Sequence, residues 1–360
     1  MSLLRLDITD FRNISSVKIE LETKQFNFFY GSNASGKTSL LEAIYYLSRG
    51  RSFRTHCSHH LINHSAEKLS LFAKIQINGN QTTLAGIERK QDNVKVRVAG
   101  QDNSSIKDLL ELLPTLLINT HSFQLLEGGP LFRRKYLDWI TFYINPAFLS
   151  AWKRYERALK QYNAALRERK TKGELEGWRI ELIKSGLVLD QLRRETVAAL
   201  LPFLESILKE VITIPDLKLS YYPGWDERFS FEETINQGME KDYYAGYTQY
   251  GPHRADFKIT INRMHVKDIL SRGQQKLFIC AMIVAQGAMM DGLLKRKPIY
   301  LMDDLPAELD SHNQVHLMNL LTKQNAQVFV TTVERNELIN AFPTSIKMFH
   351  VEQGNVKEVH

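Results

Sequence analysis

Gly31-Ser32-Asn33-Ala34-Ser35-Gly36-Lys37-Thr38 fits the pattern GxxxxGK[ST], the loop whose backbone N–H groups wrap a nucleotide's phosphates. An apolar run, Phe26-Asn27-Phe28-Phe29-Tyr30, leads into it, and Ser39-Leu40-Leu41-Glu42-Ala43-Ile44-Tyr45 leaves it with helical spacing. Strand, loop, helix is the context the motif requires, which makes a chance Gly/Ser surface turn the poorer reading. Gly31 and Gly36 permit backbone conformations that a Cβ would penalise, and the helix N-terminus adds free N–H donors with a partial positive charge. Lys37 is placed to reach the β- and γ-phosphates and the Thr38 hydroxyl to ligate Mg2+, with Asn33 and Ser39 completing the loop.

A phosphate loop needs an acid beside it, and Pro298-Ile299-Tyr300-Leu301-Met302-Asp303-Asp304 supplies two. A buried strand of this kind delivers a carboxylate at its end, so Asp303 is the expected Mg2+ ligand and Asp304 the group that polarises an attacking water. Two solvated acids closing a strand would be the bland reading, and the phosphate loop outweighs it.

At 360 residues the chain exceeds a typical single core and suggests two lobes, or one lobe with a large insertion. The net charge of +7 fits a polyanionic partner. The two cysteines, Cys57 and Cys280, have no metal or redox spacing and read as reduced thiols, Cys280 in an apolar helical run. The first residues show no signal-peptide pattern, and no stretch reads as the ~18 apolar residues that span a membrane. A cytoplasmic protein without membrane partners is expected.

Alternation at Leu4, Leu6, Ile8 and at Val17, Ile19, Leu21 predicts a hairpin before the loop, and short runs from Leu69 to Val98 predict a β-meander. Residues 1–122 thus read as a first head lobe. From 123 to 211, Leu149, Trp152, Tyr155, Leu159, Tyr162 and Leu166 recur at helical spacing, as do Leu182, Leu189 and Leu192, predicting two helices split at Thr171-Lys172-Gly173. β and α patterns alternate again through 212–360, with a helix from about Gln274, the acid-bearing strand and a terminal hairpin at Gly354-Asn355. An α/β ATPase head built from both ends of the chain, with an inserted helical arm, is the expected architecture.

Ser271-Arg272-Gly273-Gln274-Gln275-Lys276 opens that helix, and alone it is a helix cap. In the order GSNASGKT, SRGQQK, YLMDD and Glu308-Leu309-Asp310, the chain resembles the ABC-type heads of SMC and Rad50 ATPases. Phe11-Arg12-Asn13-Ile14, Gly128-Gly129-Pro130 with Arg133-Arg134, and Gly251-Pro252-His253-Arg254 narrow the resemblance to the bacterial RecF family across essentially the whole chain.

The resemblance implies a head that dimerises face to face around ATP and Mg2+. Ser271, Gly273 and Gln274 of one copy would meet the nucleotide held by the other, Arg12 would lie near the phosphates, and Asp310 would sit at the dimer interface. It further implies slow ATPase activity in recombinational repair, binding to double-stranded and gapped DNA, and work with RecR and RecO in loading RecA. Lys153, Arg154, Arg157 and Lys160 form a basic helix face suited to sequence-independent DNA contacts, with Arg167, Arg169, Lys170 and Lys172 at the hairpin tip. The chain departs from most ABC heads in four places. Asp304 replaces Glu, Ala307 replaces Ser, Thr120-His121 stands where a Pro-Glu pair is usual, and Thr331 or Thr332 occupies the region of the switch histidine. A phosphotransferase acting as a monomer on a small molecule is the alternative from another class. No Asn-Lys-x-Asp is present to read guanine, and an insertion of about ninety residues is too short for a long coiled-coil arm at ~1.5 Å per residue.

Overall fold

The run Phe26–Tyr30 has no polar face, and a strand of that kind must be covered on both sides. In the computed structural model, which describes residues 1–21, 23, 26–77, 79, 81–91, 93–212, 214–304, 309–333 and 346–359, it lies inside a six-stranded sheet. The order is Asn355–Val359, Ile346–Glu352, Phe26–Tyr30, Val328–Thr332, Ile299–Met302, Thr115–Ile118. All neighbours are parallel except the outer pair, which is the terminal hairpin. Phe29 packs between Phe329, stacked at 6.1 Å, and Phe349, tilted at 5.3 Å, tying the three central strands together. Parallel pairing brings the carboxyl ends of Phe26–Tyr30, Ile299–Met302 and Val328–Thr332 to one edge, where an α/β sheet binds its ligand.

The expected hairpin and meander form a second, antiparallel sheet ordered Ile14–Glu20, Ser2–Phe11, Leu69–Gln76, Thr82–Arg89, Val94–Val98. The helix Lys37–Arg49 packs against strands of both sheets. That placement explains why Leu40, Leu41, Ile44, Tyr46 and Leu47 are all fully buried rather than confined to one stripe.

Contacts divide the chain into two compact units, 1–122 with 276–360 and 123–275. Residues 212–275 therefore cluster with the helical segment, and the helix Arg272–Leu294 starts in one unit and continues in the other. In the second unit Phe148–Arg167 and Lys172–Val211 are the two expected helices, packed through Tyr155, Tyr162, Leu182 and Leu189. Thr171 caps the second of them with Glu174. Two further helices, Pro130–Ile144 and Phe231–Ala245, are additions to the sequence reading. A three-stranded sheet, Met264–His265, Asp256–Ile261, Leu217–Tyr222, completes the unit.

Among the described residues one helix is long and apolar enough to cross a membrane, contrary to the expectation that none would be. Arg272–Leu294 reaches a mean hydropathy of 1.8 in its most apolar window, but 72% of that window is buried inside the protein, as befits a core helix. Cys280 lies buried on it, and Cys57 is exposed; both are free. Ala307 and Glu308, which the sequence reading used in the motif after the two acids, lie outside the described residues.

Candidate nucleotide site

The phosphate loop leaves the sheet edge through Gly31, whose φ is +155° and where a Cβ would sit 2.2 Å from the Val351 carbonyl oxygen. Only glycine fits. Lys37 Nζ donates to the carbonyl oxygens of Gly31 and Ser32 at 2.7 and 2.8 Å, so the loop is closed around its own cation. Burial pushes the Lys37 ammonium below its ordinary pKa, against the attraction of Asp304 and Asp303. An ammonium held in this way needs little rearrangement to turn to a phosphate.

Thr38 Oγ1 donates to Asp303 Oδ1 at 2.9 Å, and Thr331 Oγ1 donates to the same oxygen at 2.8 Å. Thr331 also accepts from the Asp304 N–H at 2.8 Å, so one hydroxyl positions both acids. Asp304 turns away with φ of +55°, a left-handed conformation that Asp tolerates better than most residues. That Thr38–Asp303 separation is a hydrogen bond, and it sets a hydroxyl and a carboxylate oxygen, the donor types Mg2+ takes, side by side.

Arg12, Asn33, Gly36, Lys37, Thr38, Ser39 and Asp304 line one cavity of about 600 Å³, within the size range of small-molecule sites. Arg12 is not free to follow a phosphate. Its guanidinium makes a bidentate pair with the fully buried Glu42 at 2.7 and 2.9 Å and donates to the His60 carbonyl oxygen. Arg54, 3.5 Å from Glu42, also lines the cavity, as do His60 and His64. Sequence reasoning missed these three, because nothing between 51 and 64 has a motif's spacing. Thr120 and His121 are exposed in a short turn after the edge strand and are not among the lining residues.

The terminal hairpin buttresses the loop. Gly354 N–H donates to the Ser35 carbonyl oxygen at 2.8 Å, and Ser39 Oγ donates to Asn13 Oδ1 at 2.9 Å. At Gly354, with φ of +80°, a Cβ would meet the Asn13 carbonyl oxygen at 2.2 Å. Gly354→Ala is therefore expected to cost about 1–2 kcal/mol from the left-handed backbone before the clash is counted. Urea unfolding and ATP titration of the variant should show both lower stability and weaker nucleotide binding.

Ser271 caps the helix Arg272–Leu294 through Gln274. Its hydroxyl accepts from Gln274 N–H, and Gln274 Oε1 accepts from Ser271 N–H at 3.0 Å. Ser271 and Gln274 are exposed and Gly273 is half-exposed, so this helix N-terminus faces outward. Asp310 caps the helix Ser311–Gln324, accepting from Asn313 N–H at 2.9 Å, and those bonds hold its carboxyl below the usual range. On the second unit Lys153, Arg154, Arg157 and Lys160 are all exposed, with Arg154 paired to Glu181.

Two motifs that narrow the resemblance meet in that unit and serve the fold. Arg133 makes a bidentate pair with Asp256 and donates to the Gly128 carbonyl oxygen. Arg134 donates to the Ala255 carbonyl oxygen, and the buried Arg193, paired with Asp138, donates to that of Pro252. His253 Nδ1 meets the Tyr155 hydroxyl at 2.7 Å, and burial pushes this imidazole down to about 4, leaving it neutral at neutral pH. Three guanidiniums thus fasten Gly251–Asp256 in place.

The family described as RecF/RecN/SMC N terminal domain matches residues 2–357. The DNA replication and repair protein RecF of Pseudomonas putida is 39% identical over 368 aligned residues, spanning 100% of this chain and 99% of that protein. The chain belongs to the RecF family. RecF of Shewanella loihica is 38% identical and spans 99% of both chains. Among solved structures, the recombination mediator protein RecF-ATPrS in the RecFOR pathway superposes with a TM-score of 0.89 at 25% identity, covering 100% of this chain and 98% of that one. An Smc head bound to the C-winged helix domain of ScpA, at 15% identity and TM-score 0.58, covering 100% of this chain and 98% of that one, shares the fold. The RecF family fold, an SMC-like ABC ATPase head, is therefore that of this chain.

Proposed function

We propose that this chain is an ATP-dependent, dimerising DNA-binding protein of recombinational repair and replication-gap processing. The observation that carries the reading is the convergence of Lys37, Thr38 and Asp304 on one cavity, with Asp303 hydrogen-bonded to Thr38 beside it. ATP fills that cavity with its phosphates on the loop, and Thr38 and Asp303 would hold Mg2+, which would supply positive charge to the phosphates. Asp304 orients the attacking water, and its short side chain makes hydrolysis slow. A second copy brings Ser271, Gly273 and Gln274 to the γ-phosphate, where the helix N-terminus suits an anion, and Asp310 lies at the same interface. ATP closes the dimer on double-stranded or gapped DNA, and hydrolysis reopens it. RecR and RecO are the expected partners in loading RecA, with the whole process in the cytoplasm. In this scheme the unit formed by residues 1–122 and 276–360 acts as the ATPase head, and the unit 123–275, larger than the 123–211 expected from the sequence, as the arm.

Binding of gapped, duplex and single-stranded DNA, measured with ATP, with ADP and without nucleotide, tests the reading. ATP should tighten binding to duplex-containing substrates; equal affinity in all three states removes the ATP-gated function while leaving the fold untouched. The exposed face Lys153, Arg157 and Lys160 makes a second, graded prediction. Replacing all three by Ala should weaken binding about equally for every sequence and flatten the dependence of log Kd on log salt by up to about three units, roughly one for each phosphate no longer neutralised.

A further inference from the structure

Two imidazoles outside the nucleotide cavity stand as a chelating pair. His312 and His316 lie one turn apart on the helix Ser311–Gln324, His312 exposed and His316 half-buried, with their Nε2 atoms 3.0 Å apart. The rings are nearly perpendicular, 83° between planes with centroids 4.5 Å apart. The i,i+4 spacing keeps both on one face of the helix, and a neutral imidazole nitrogen is the commonest protein ligand for transition metals. A metal–nitrogen bond of about 2.0–2.1 Å places two adjacent ligand nitrogens about 2.9 Å apart at a right angle and about 3.4 Å apart at the tetrahedral angle. The observed separation falls inside that interval without any movement of the backbone.

Charge around the pair is permissive. The pair sits in the first two turns of its helix, where the positive end of the dipole opposes a cation, but Asp310 lies within Coulombic reach of His312 and offsets it. The Asp310 carboxylate is itself committed to Asn313 N–H and Nδ2–H at 2.9 and 2.7 Å, so it contributes field rather than a ligand. Among the described residues no group of three or more His, Cys, Asp or Glu is arranged to hold a metal. The pair is therefore a two-ligand site, completed by water or by donors from outside the chain.

We propose that His312 and His316 chelate one divalent transition-metal ion of the zinc class, a site separate from the Mg2+ position at Thr38 and Asp303. Two nitrogen ligands select for that class, because Mg2+ takes oxygen donors and gives up its water reluctantly. Without metal the same two nitrogens lie in hydrogen-bond contact, which keeps the two side chains together.

Equilibrium dialysis of the untagged full-length chain against Zn2+, in excess Mg2+ and without nucleotide, tests this directly. The chain should bind Zn2+, and His312→Gln and His316→Gln should each weaken that binding by at least the roughly 10–100-fold that loss of a ligand's hydrogen-bonded partner costs at metal sites. Both positions are on the surface, and unchanged melting curves establish that the variants fold. His59→Gln, which removes one of the adjacent His59 and His60 imidazoles, should leave binding unchanged. The proposal is overturned if the chain takes up no Zn2+, if either His312 or His316 can be replaced without loss, or if the loss follows His59 instead.

Discussion

Asp303→Asn is expected to lower Mg2+-dependent ATP turnover by at least roughly 10²–10³-fold, the cost of removing one preorganised charge-stabilising group, while raising the melting temperature of the nucleotide-free protein. Both effects come from the same burial. Burial pushes the Asp303 carboxyl above its ordinary range, with Thr331 and Thr38 pulling it down and Asp304 pushing it further up. A carboxyl raised in the folded state contributes its full stability only below its unfolded pKa, and loses it as pH rises through the folded value. At neutral pH the ionised group therefore weighs against folding. Asn carries no charge, and its Oδ1 still accepts from Thr38 and Thr331, whose hydroxyls now reach Asp303 Oδ1 at 2.9 and 2.8 Å. The gain should appear as a rise in Tm at neutral pH. It should shrink as pH is lowered through the folded pKa of the wild-type carboxyl. Calorimetry across pH and a turnover assay read the two halves separately, and a variant that keeps wild-type turnover would remove Asp303 from the Mg2+ position.

What could be read from the sequence is what chemistry forces into fixed spacing. The phosphate loop, its strand and helix, and the acid-bearing strand Ile299–Met302 are local patterns, and each folds as its pattern says. The cavity's other walls come from distant chain segments with no spacing to betray them. Gly354 braces the loop from the far end of the chain, and Asn13 meets Ser39 from the first hairpin. Thr331, noted in the sequence only as standing where a histidine is usual, proves to join both acids. Arg12 lines the cavity beside the phosphate loop, and its guanidinium is held there by Glu42, a residue whose burial the helical pattern could not foretell. The helix Phe231–Ala245 did carry a legible signal. Ser230 and Glu233 form a capping box, S-x-x-E before a helical run, which the surrounding turn residues obscured. The helix Pro130–Ile144 likewise announces itself through Pro130 in its first turn, a preferred start.

The largest effect on assembly is expected from Ser271→Asp, which separates capping from phosphate recognition. Ser271 is exposed and caps its helix through Gln274, so a substitution that simply deletes the hydroxyl confounds a missing cap, about 1 kcal/mol, with a missing phosphate ligand. Asp is as good an N-cap as Ser, and Gln274 remains in place to complete the box. The helix Arg272–Leu294, with Phe278, Ala281, Met282 and Ala285 fully buried, should therefore stay intact, and the monomer's melting temperature should not fall. What changes is the sign of the group offered to a second copy's nucleotide. Two like charges 4 Å apart near a protein surface repel by about 4 kcal/mol, enough to weaken an ATP-bound dimer by roughly 10³-fold. The bulky Ser271→Arg should also block the dimer, but by volume rather than charge, so raising the salt concentration should partly restore Ser271→Asp and leave Ser271→Arg monomeric. Sedimentation velocity with Mg-ATP reads this directly. If Ser271→Asp dimerises as the parent chain does, or if the parent chain stays monomeric with ATP and DNA together, the helix N-terminus at Ser271 does not meet a partner's γ-phosphate, and ATP serves a single head.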